Sequence, residues 1–221
     1  MDDSYREKEH LTMYRDEATF VDDRTVEVGG EEVSAEKVVV AAGSRPLVPP
    51  IDGLDDVDYL TSAEALYLRD PPDSPVIMGG GYIAVELGYF FESLGTDVTI
   101  VEMMDSLVPR EDEALAEAFT DIARERHDVY TGHRATRVED DGKDVAVHTE
   151  TENGETATVT GDELLVALGR RPNTDTLAVE KAGIETDENG FVVTNDRLET
   201  TAENVWAQGD IADNAMFKHS G

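Results

Sequence analysis

The sequence predicts a mixed α/β protein in which one domain is inserted between two pieces of another. The segment VVVAAGSRP at Val38–Pro46 returns as LLVALGRRP at Leu164–Pro172, and each is an apolar strand that stops at a glycine and a proline. Between the two segments, an apolar strand, a segment with helical spacing and a second strand make a βαβ unit, which requires a right-handed crossover and parallel pairing. The predicted domains are therefore residues 1–50, 51–172 and 173–221.

The first piece alternates apolar and polar residues from Ala18 to Gly43, with turn residues between the runs. This period of two predicts a small antiparallel meander. The continuous apolar run Val38–Ala42 predicts a strand buried on both faces. Farther on, Thr61 or Ser62 is expected to cap a short helix that Pro71 and Pro72 end.

Beyond the βαβ unit, a second helix is predicted from about Asp112 to Arg126. Three or four strands should follow between about Val129 and Leu168. After Asn173 the sequence is rich in turn residues, with one extended pair predicted around FVVTNDRLET and a last strand in NVWAQGD.

Composition excludes several classes of function. The 221 residues contain 50 acidic and 18 basic side chains, for a formal net charge of −32, which repels nucleic acid phosphates and anionic lipids. Such acidity resembles proteins of salt-loving organisms. The chain contains no cysteine, no apolar run near the roughly 20 residues of a membrane span, and no signal-peptide pattern at its start. We therefore expect a cytoplasmic protein with neither nucleic acid nor membrane as a partner.

The strongest motif is Gly79-x-Gly81-x-x-Ala84, placed between a strand and a helix, with Glu102 at the end of the next strand. Gly79 allows the tight turn, Gly81 lets the backbone approach a pyrophosphate, and Ala84 permits close packing of helix on strand. The helix N-terminus favours phosphate binding, and Glu102 can accept hydrogen bonds from a ribose. The motif predicts a Rossmann-like NAD-binding domain whose cofactor contacts also include Gly80, Tyr82 and Ile83.

Several segments together resemble the pyridine nucleotide-disulfide oxidoreductases, a family that includes dihydrolipoamide dehydrogenase, mycothione reductase and mercuric reductase. They are GGGYIAVELG, TDVTIVE, VVVAAGSRPLVPPIDG, VALGRRPNTD and VWAQGDIA. The resemblance implies two cofactors, FAD and NAD, with the NAD-binding domain inserted between two partial pieces of an FAD-binding domain. It also implies a longer, homodimeric parent whose first FAD loop, redox cysteines and dimerisation domain lie outside these 221 residues, so that this chain alone is inactive.

The same resemblance implies roles for individual residues near the flavin. Gly209 and Asp210 match the family's second FAD motif, in which the carboxylate accepts hydrogen bonds from ribityl hydroxyls. Ala42, Gly43 and Gly169 match the turns where the chain passes between the FAD and NAD domains, although Ala42 stands where most members have threonine.

Two helix residues have implied mechanistic roles. Tyr82 resembles the aromatic side chain that lies over the flavin and moves aside for nicotinamide. Glu86 resembles the carboxylate that pairs with a lysine, outside this chain, beside the flavin. His219, near the chain's end, is expected to be structural. The other histidines (His10, His127, His133 and His148) lack metal-ligand spacing, so no metal site is predicted.

The resemblance implies an oxidoreductase that transfers hydride from NAD(P)H to flavin and electrons onward to a disulfide or related acceptor, or runs the reverse dihydrolipoamide oxidation. Lipoamide, a low-molecular-weight disulfide and mercuric ion stay open as acceptors. A stand-alone nucleotide-binding module without redox activity is the alternative.

Overall fold

The protein is described as a computed structural model over residues 8–212, and it divides into two compact units. One unit comprises residues up to Arg45 together with those from Arg171 onward, and the other comprises Pro46–Arg170. The second unit is continuous in sequence and interrupts the first.

The described residues contain fourteen strands and four α-helices. The strands are β1 (Ala18–Asp22), β2 (Thr25–Val28), β3 (Glu31–Ser34), β4 (Val38–Val40), β5 (Ser44–Pro46), β6 (Pro75–Met78), β7 (Thr99–Val101), β8 (Asp128–Tyr130), β9 (Arg134–Asp140), β10 (Val145–Glu150), β11 (Thr156–Gly161), β12 (Glu163–Val166), β13 (Arg170–Pro172) and β14 (Val205–Ala207). The helices are α1 (Ser62–Ala65), α2 (Tyr82–Ser93), α3 (Glu113–Arg124) and α4 (Thr174–Leu177).

The unit Pro46–Arg170 is built on a four-stranded parallel sheet in the order β12-β6-β7-β8. Because successive side chains of a strand point to opposite faces, the strands supply two cores. On β6, Val76 and Met78 contribute to one core, whereas Ile77 contributes to the other. Every residue of β6 and the last three of β12 are buried, because both faces of the sheet are covered. The parallel pairing of β6 with β7 confirms the predicted βαβ unit.

The two faces of this sheet carry different layers. One core includes Val138, Val147 and Val159 of the antiparallel meander β9-β10-β11. The other includes Ala84 and Phe91 of α2 together with Ala123 of α3. Five strands lie between Asp128 and Val166, where three or four were predicted, since β11 and β12 are separate strands divided by Asp162 alone.

Helix caps explain where α1 and α3 begin. Thr61 caps α1 with a full capping box, which confirms the cap predicted at Thr61 or Ser62. Asp112 caps α3 by accepting from the Ala114 N–H at 3.1 Å, and this helix begins close to its predicted start. The expectation that α1 extends toward Pro71 is wrong, since the helix ends at Ala65. Tyr67, 87% exposed, shows that further turns would bury little apolar surface.

The other unit contains the antiparallel sheet β1-β2-β3, which confirms the predicted meander, and a parallel pair of β4 with β14. The prediction that Val38–Ala42 is buried on both faces is wrong. Val40 is buried whereas Val39 is 61% exposed, because alternate side chains face opposite sides and only one side is covered among the described residues. The core here includes Phe20, Val205 and Ile211.

The predicted extended pair around FVVTNDRLET does not form as a strand pair. This part of the chain makes only isolated bridges, between Thr186 and Val192 and between Glu199 and Trp206. Asn195 accounts for the difference, since its side-chain oxygen accepts from the Arg197 and Glu199 N–H groups and closes a local turn.

Charge dominates the surface, and ion pairs neutralise little of it. The net charge is −32, and the described ion pairs join side chains that are at least partly exposed to solvent. No helix within residues 8–212 combines the length and apolarity needed to cross a membrane.

We expect the thermal stability of this chain to rise with salt, because the Debye length falls from about 10 Å at 0.1 M to about 3 Å at 1 M and like-charge repulsion falls with it. A gain of about 3 kcal/mol would raise Tm by about 6–12 °C in a chain of this size. Melts across potassium chloride concentrations measure the effect, and equal osmolality of sucrose controls for solute exclusion. A flat or falling Tm contradicts it.

Candidate functional site

The loop between β6 and α2 has a backbone that only glycine adopts at its first position. Gly79 has φ +110°, and a Cβ built there would lie 2.3 Å from the Ala167 carbonyl oxygen. Its N–H donates to the Val101 carbonyl at 2.8 Å. Gly79 is therefore pressed between the neighbouring strands β12 and β7, and the tight turn predicted for it is present.

Gly81, in contrast, is open on its outer side. It is the N-cap of α2, with extended backbone at φ −77° and ψ −175° and no side-chain cap, and a Cβ there would have nothing within 4 Å. Ala84, one turn along, is fully buried between helix and sheet. An uncapped helix start with open space before it is suited to an anion, because the first turn carries backbone donors and a partial positive charge.

Glu102 lies directly after β7 and is buried, with 7% of its surface exposed. Its carboxylate accepts from the Gly80 N–H at 2.5 Å and from the Met104 N–H at 2.8 Å. A carboxylate desolvated in this way is stabilised by charge-assisted hydrogen bonds. The structure thus brings Glu102 against the glycine loop, a contact between residues 22 apart in sequence.

Tyr82 and Glu86 occupy exposed positions on α2. Tyr82 is 38% exposed and its hydroxyl donates to the Glu111 carboxylate. Glu86 is exposed at the rim of an apolar cleft of about 410 Å³ between α2 and α3, so its carboxylate needs no buried partner within the described chain. Ile83 packs partly buried against the core between helices and sheet.

In the other unit, the segments after β4 and β14 lie together because the two strands are parallel neighbours. The Asp210 carboxylate accepts from the Ser44 hydroxyl at 2.8 Å, and Gly43 and Gly209 both have left-handed backbones, with φ +66° and +74°. Ligands of open α/β sheets bind outside the carboxyl ends of the strands, where these residues lie. Sequence reasoning did not identify Ser44, whose partner is 166 residues away.

Two further turn residues have defined contacts. The Ala42 carbonyl accepts from the Asn173 side-chain amide at 2.8 Å, and the Gly43 carbonyl accepts from the Asn173 N–H at 3.1 Å. Gly169 has φ +122°, and its carbonyl accepts from the Leu47 N–H at 2.9 Å. Sequence reasoning also missed Asn173, although its place directly after RRP was a usable signal. Predictions for His219 lie outside the described residues.

Arg45 and Arg171 both bind Asp175 on α4. Arg45 Nη1 and Nη2 donate to the two carboxylate oxygens of Asp175 at 2.9 and 2.6 Å. Arg171 Nη2 donates to Asp175 Oδ2 at 2.5 Å. The hydrogen bond from Arg45 is the main cause that lowers the pKa of Asp175 to about 2. Arg45 and Arg171 occupy the same position in the two similar segments VVVAAGSRP and LLVALGRRP, two residues after Gly43 and Gly169.

The lowered pKa of Asp175 predicts a small loss in the free energy of unfolding at acidic pH. Stability from this carboxylate is present above its unfolded pKa of about 4 and is lost as pH falls toward 2. Because the pair is partly exposed, we expect less than about 1 kcal/mol. In urea unfolding, Asp175→Asn should lose about twice as much stability relative to wild type at pH 7 as at pH 3, because roughly half of the effect remains one pH unit above a folded pKa of about 2. Asp121→Asn, a more exposed ion-pair residue, is the control; an equal loss at both pH values contradicts the assignment.

Comparison with known proteins covers both units. The family described as pyridine nucleotide-disulphide oxidoreductase matches residues 3–220. The chain is 38% identical to a mercuric reductase of Staphylococcus aureus over 206 residues, 93% of this chain and 38% of that protein. It is 38% identical to dihydrolipoyl dehydrogenase 2 of Haloarcula marismortui, over 91% of this chain and 44% of that protein.

A solved structure shows the same fold. The HOCl-induced flavoprotein disulfide reductase RclA of Escherichia coli is similar with a TM-score of 0.82 and 35% identity, over 92% of this chain and 46% of that one. The chain thus spans less than half the length of these relatives. Because the family match extends across almost all residues, through the glycine loop and the Gly209–Asp210 turn alike, the chain belongs to the pyridine nucleotide-disulphide oxidoreductase family.

Proposed function

We propose that Pro46–Arg170 is the NAD-binding domain, and that the other unit is part of the FAD-binding domain, of an oxidoreductase. In that enzyme NAD(P)H supplies a hydride to flavin, and electrons pass onward to a disulfide or related acceptor, or the reverse. The observation that carries the proposal is the glycine loop, where Gly79 is pressed against β12, Gly81 is open, and Glu102 is held at the loop by backbone donors. Family membership supports the pairing of two cofactors.

The residues of this chain would bind and orient the nucleotide. The open side of Gly81 and the first turn of α2 receive the pyrophosphate, where backbone N–H groups can donate to its oxygens. Glu102 lies where a strand-end carboxylate accepts from the adenosine ribose. Gly80 and Ile83 shape the loop and the helix start on either side of that contact.

We assign the flavin-side residues by family resemblance. Asp210, oriented by Ser44, would accept from ribityl hydroxyls, with Gly209, Gly43 and Ala42 shaping the turns beside it. Gly169 would allow the turn at which the chain passes back from the NAD-binding domain to the FAD-binding domain. In the parent enzyme Tyr82 would move aside for nicotinamide, and Glu86 would pair with a lysine.

The names of the similar proteins suggest candidates for the electron acceptor. Their names include mercuric reductase and dihydrolipoyl dehydrogenase, so mercuric ion and lipoamide are candidates, together with a low-molecular-weight disulfide. A homodimeric parent in the cytoplasm is proposed from family resemblance alone.

The 221-residue chain should bind NADH but should purify colourless, because it carries only part of the proposed FAD-binding domain. It should also lack disulfide reductase activity, because it contains no cysteine. Calorimetric titration with NADH, visible absorbance and NADH-driven lipoamide reduction test this. A folded chain that does not bind NADH contradicts the proposed NAD-binding domain. A stoichiometric yellow flavin band, or turnover, contradicts the expected inactivity. Coding sequence upstream with a GxGxxG loop and a CxxxxC pair would favour the enzyme over a stand-alone nucleotide-binding module.

A further inference from the structure

The segment Leu107–Glu111, which we call the strap, lies against the glycine loop and makes contacts that the proposed NAD site does not itself explain. The Val108 N–H donates to the Gly80 carbonyl at 2.7 Å. Glu111, at the end of the strap, accepts from the Tyr82 hydroxyl. The strap therefore contacts the loop before α2 and the first residue of α2.

The strap leaves Gly80 little freedom. Glu102 accepts from the Gly80 N–H while Val108 donates to the Gly80 carbonyl, so both backbone polar groups of this glycine have protein partners. A Cβ at Gly80 would lie 2.7 Å from Leu107 Cδ2 and 2.8 Å from Glu102 Cγ. The strap and Glu102 thus fill the space on the inner side of the loop, whereas Gly81 faces open space.

Val108 is itself in an unfavourable conformation. Its φ of +46° lies in the left-handed region, which is a rare position for a β-branched residue, and its side chain is buried. Such strain costs on the order of 1–3 kcal/mol and persists where surrounding structure imposes it. The contact with Gly80 is made at this strained position.

Thr120 on α3 anchors the strap. Its side chain is buried, with 2% exposed, and its hydroxyl accepts from the Leu107 N–H at 2.9 Å while donating to the Ala116 carbonyl at 2.7 Å. The one donor of this buried hydroxyl and one of its two acceptor lone pairs are therefore used in holding α3 to the strap. Through Leu107 and Val108, α3 therefore constrains the position of the Gly80 peptide.

We propose that Thr120 and Val108 are positioning residues for the pyrophosphate of the nucleotide, acting through Gly80. This inference rests on the proposed NAD site. The strap places the peptide planes on either side of Gly80 before any nucleotide arrives, so that binding does not have to order the loop. Loosening the strap should therefore lower the affinity for ligands that carry the diphosphate. The affinity for ligands without a diphosphate should not change.

The matched pair Thr120→Val and Thr120→Ser tests this in the 221-residue chain. Valine keeps the shape but removes the acceptor of the Leu107 N–H, whereas serine keeps the hydroxyl. We expect Thr120→Val to bind NADH and ADP-ribose about three- to tenfold more weakly than wild type and adenosine equally well, with Thr120→Ser close to wild type for all three. Calorimetry at a temperature where circular dichroism shows every variant folded measures these affinities.

The outcomes separate the inference from the proposal beneath it. If wild type does not bind NADH, the NAD site itself is wrong. The positioning role is overturned if wild type binds NADH and folded Thr120→Val binds it equally well. It is also overturned if the affinity for adenosine falls as much as the affinity for ADP-ribose. Should Thr120→Val not fold, Val108→Gly takes its place, because glycine accepts φ +46° without strain but leaves the strap looser. Unchanged ADP-ribose affinity in that variant likewise overturns the inference.

Discussion

NADH is expected to bind this chain roughly a hundredfold more tightly than NADPH. The 2′-phosphate of NADPH would replace a hydroxyl that donates to Glu102 and would bring negative charge toward a buried carboxylate. Losing charge-assisted hydrogen bonds costs roughly 1.5–3 kcal/mol, and about 1.4 kcal/mol corresponds to a factor of ten. Repulsion adds to this cost. No cation follows closely in sequence, since Arg110 is the first basic residue after Glu102.

The contacts of Glu102 decide which variant tests this preference. Alanine would leave the N–H groups of Gly80 and Met104 without their acceptor and would loosen the loop, so that both nucleotides would bind more weakly. Glu102→Gln keeps the volume and one acceptor oxygen, so that only one of these two N–H groups loses its acceptor, and it removes the charge. We expect it to lower NADH affinity, raise NADPH affinity, and reduce the preference to about tenfold or less.

Calorimetric titration of wild type and Glu102→Gln with both nucleotides measures the preference. Glu117→Gln, on an exposed position of α3, removes the same charge without a contact to the glycine loop and is the control. Equal affinity of wild type for the two nucleotides would show that Glu102 does not select between them. The same conclusion would follow if the glutamine variant kept the full preference.

Alanine at the two motif glycines should produce opposite phenotypes. Gly79→Ala places a methyl group 2.3 Å from the Ala167 carbonyl oxygen at φ +110°, where both the overlap and the backbone conformation are unfavourable. We expect a loss of about 3–5 kcal/mol in the free energy of unfolding. That loss corresponds to a Tm lower by about 6–20 °C in a chain of this size.

Gly81→Ala meets nothing within 4 Å and has an ordinary φ of −77°, so its stability should change by less than about 1 kcal/mol. Its methyl group occupies the space proposed for the pyrophosphate, and NADH affinity should fall at least tenfold. Gly95→Ala, at φ +91° in open space, controls for backbone strain without overlap. Thermal melts measure the stability of each variant, and calorimetry measures its affinity for NADH. A Gly81→Ala protein that binds NADH normally contradicts the proposed pyrophosphate position.

Local chemistry made much of this fold predictable. The run Val76–Met78 followed by Gly79 and a helix, and the alternation through β1–β3, depend on neighbouring residues and on turn conformations that glycine permits. The cap at Thr61 and the start of α3 near Asp112 were predictable for the same reason. The end of α1 was not, since a helix continues only where a neighbour buries its apolar side.

Periodicity and spacing in the sequence were enough to predict the βαβ unit, the glycine loop and the place of Glu102 at the end of its strand. Three contacts depend on tertiary packing: the Glu102 carboxylate is buried against Gly80, Ser44 donates to Asp210, and the strap contacts the loop. These contacts join residues 22 to 166 positions apart. Their partners are chosen by which strands become neighbours and by the packing of α3, and no local pattern encodes that choice.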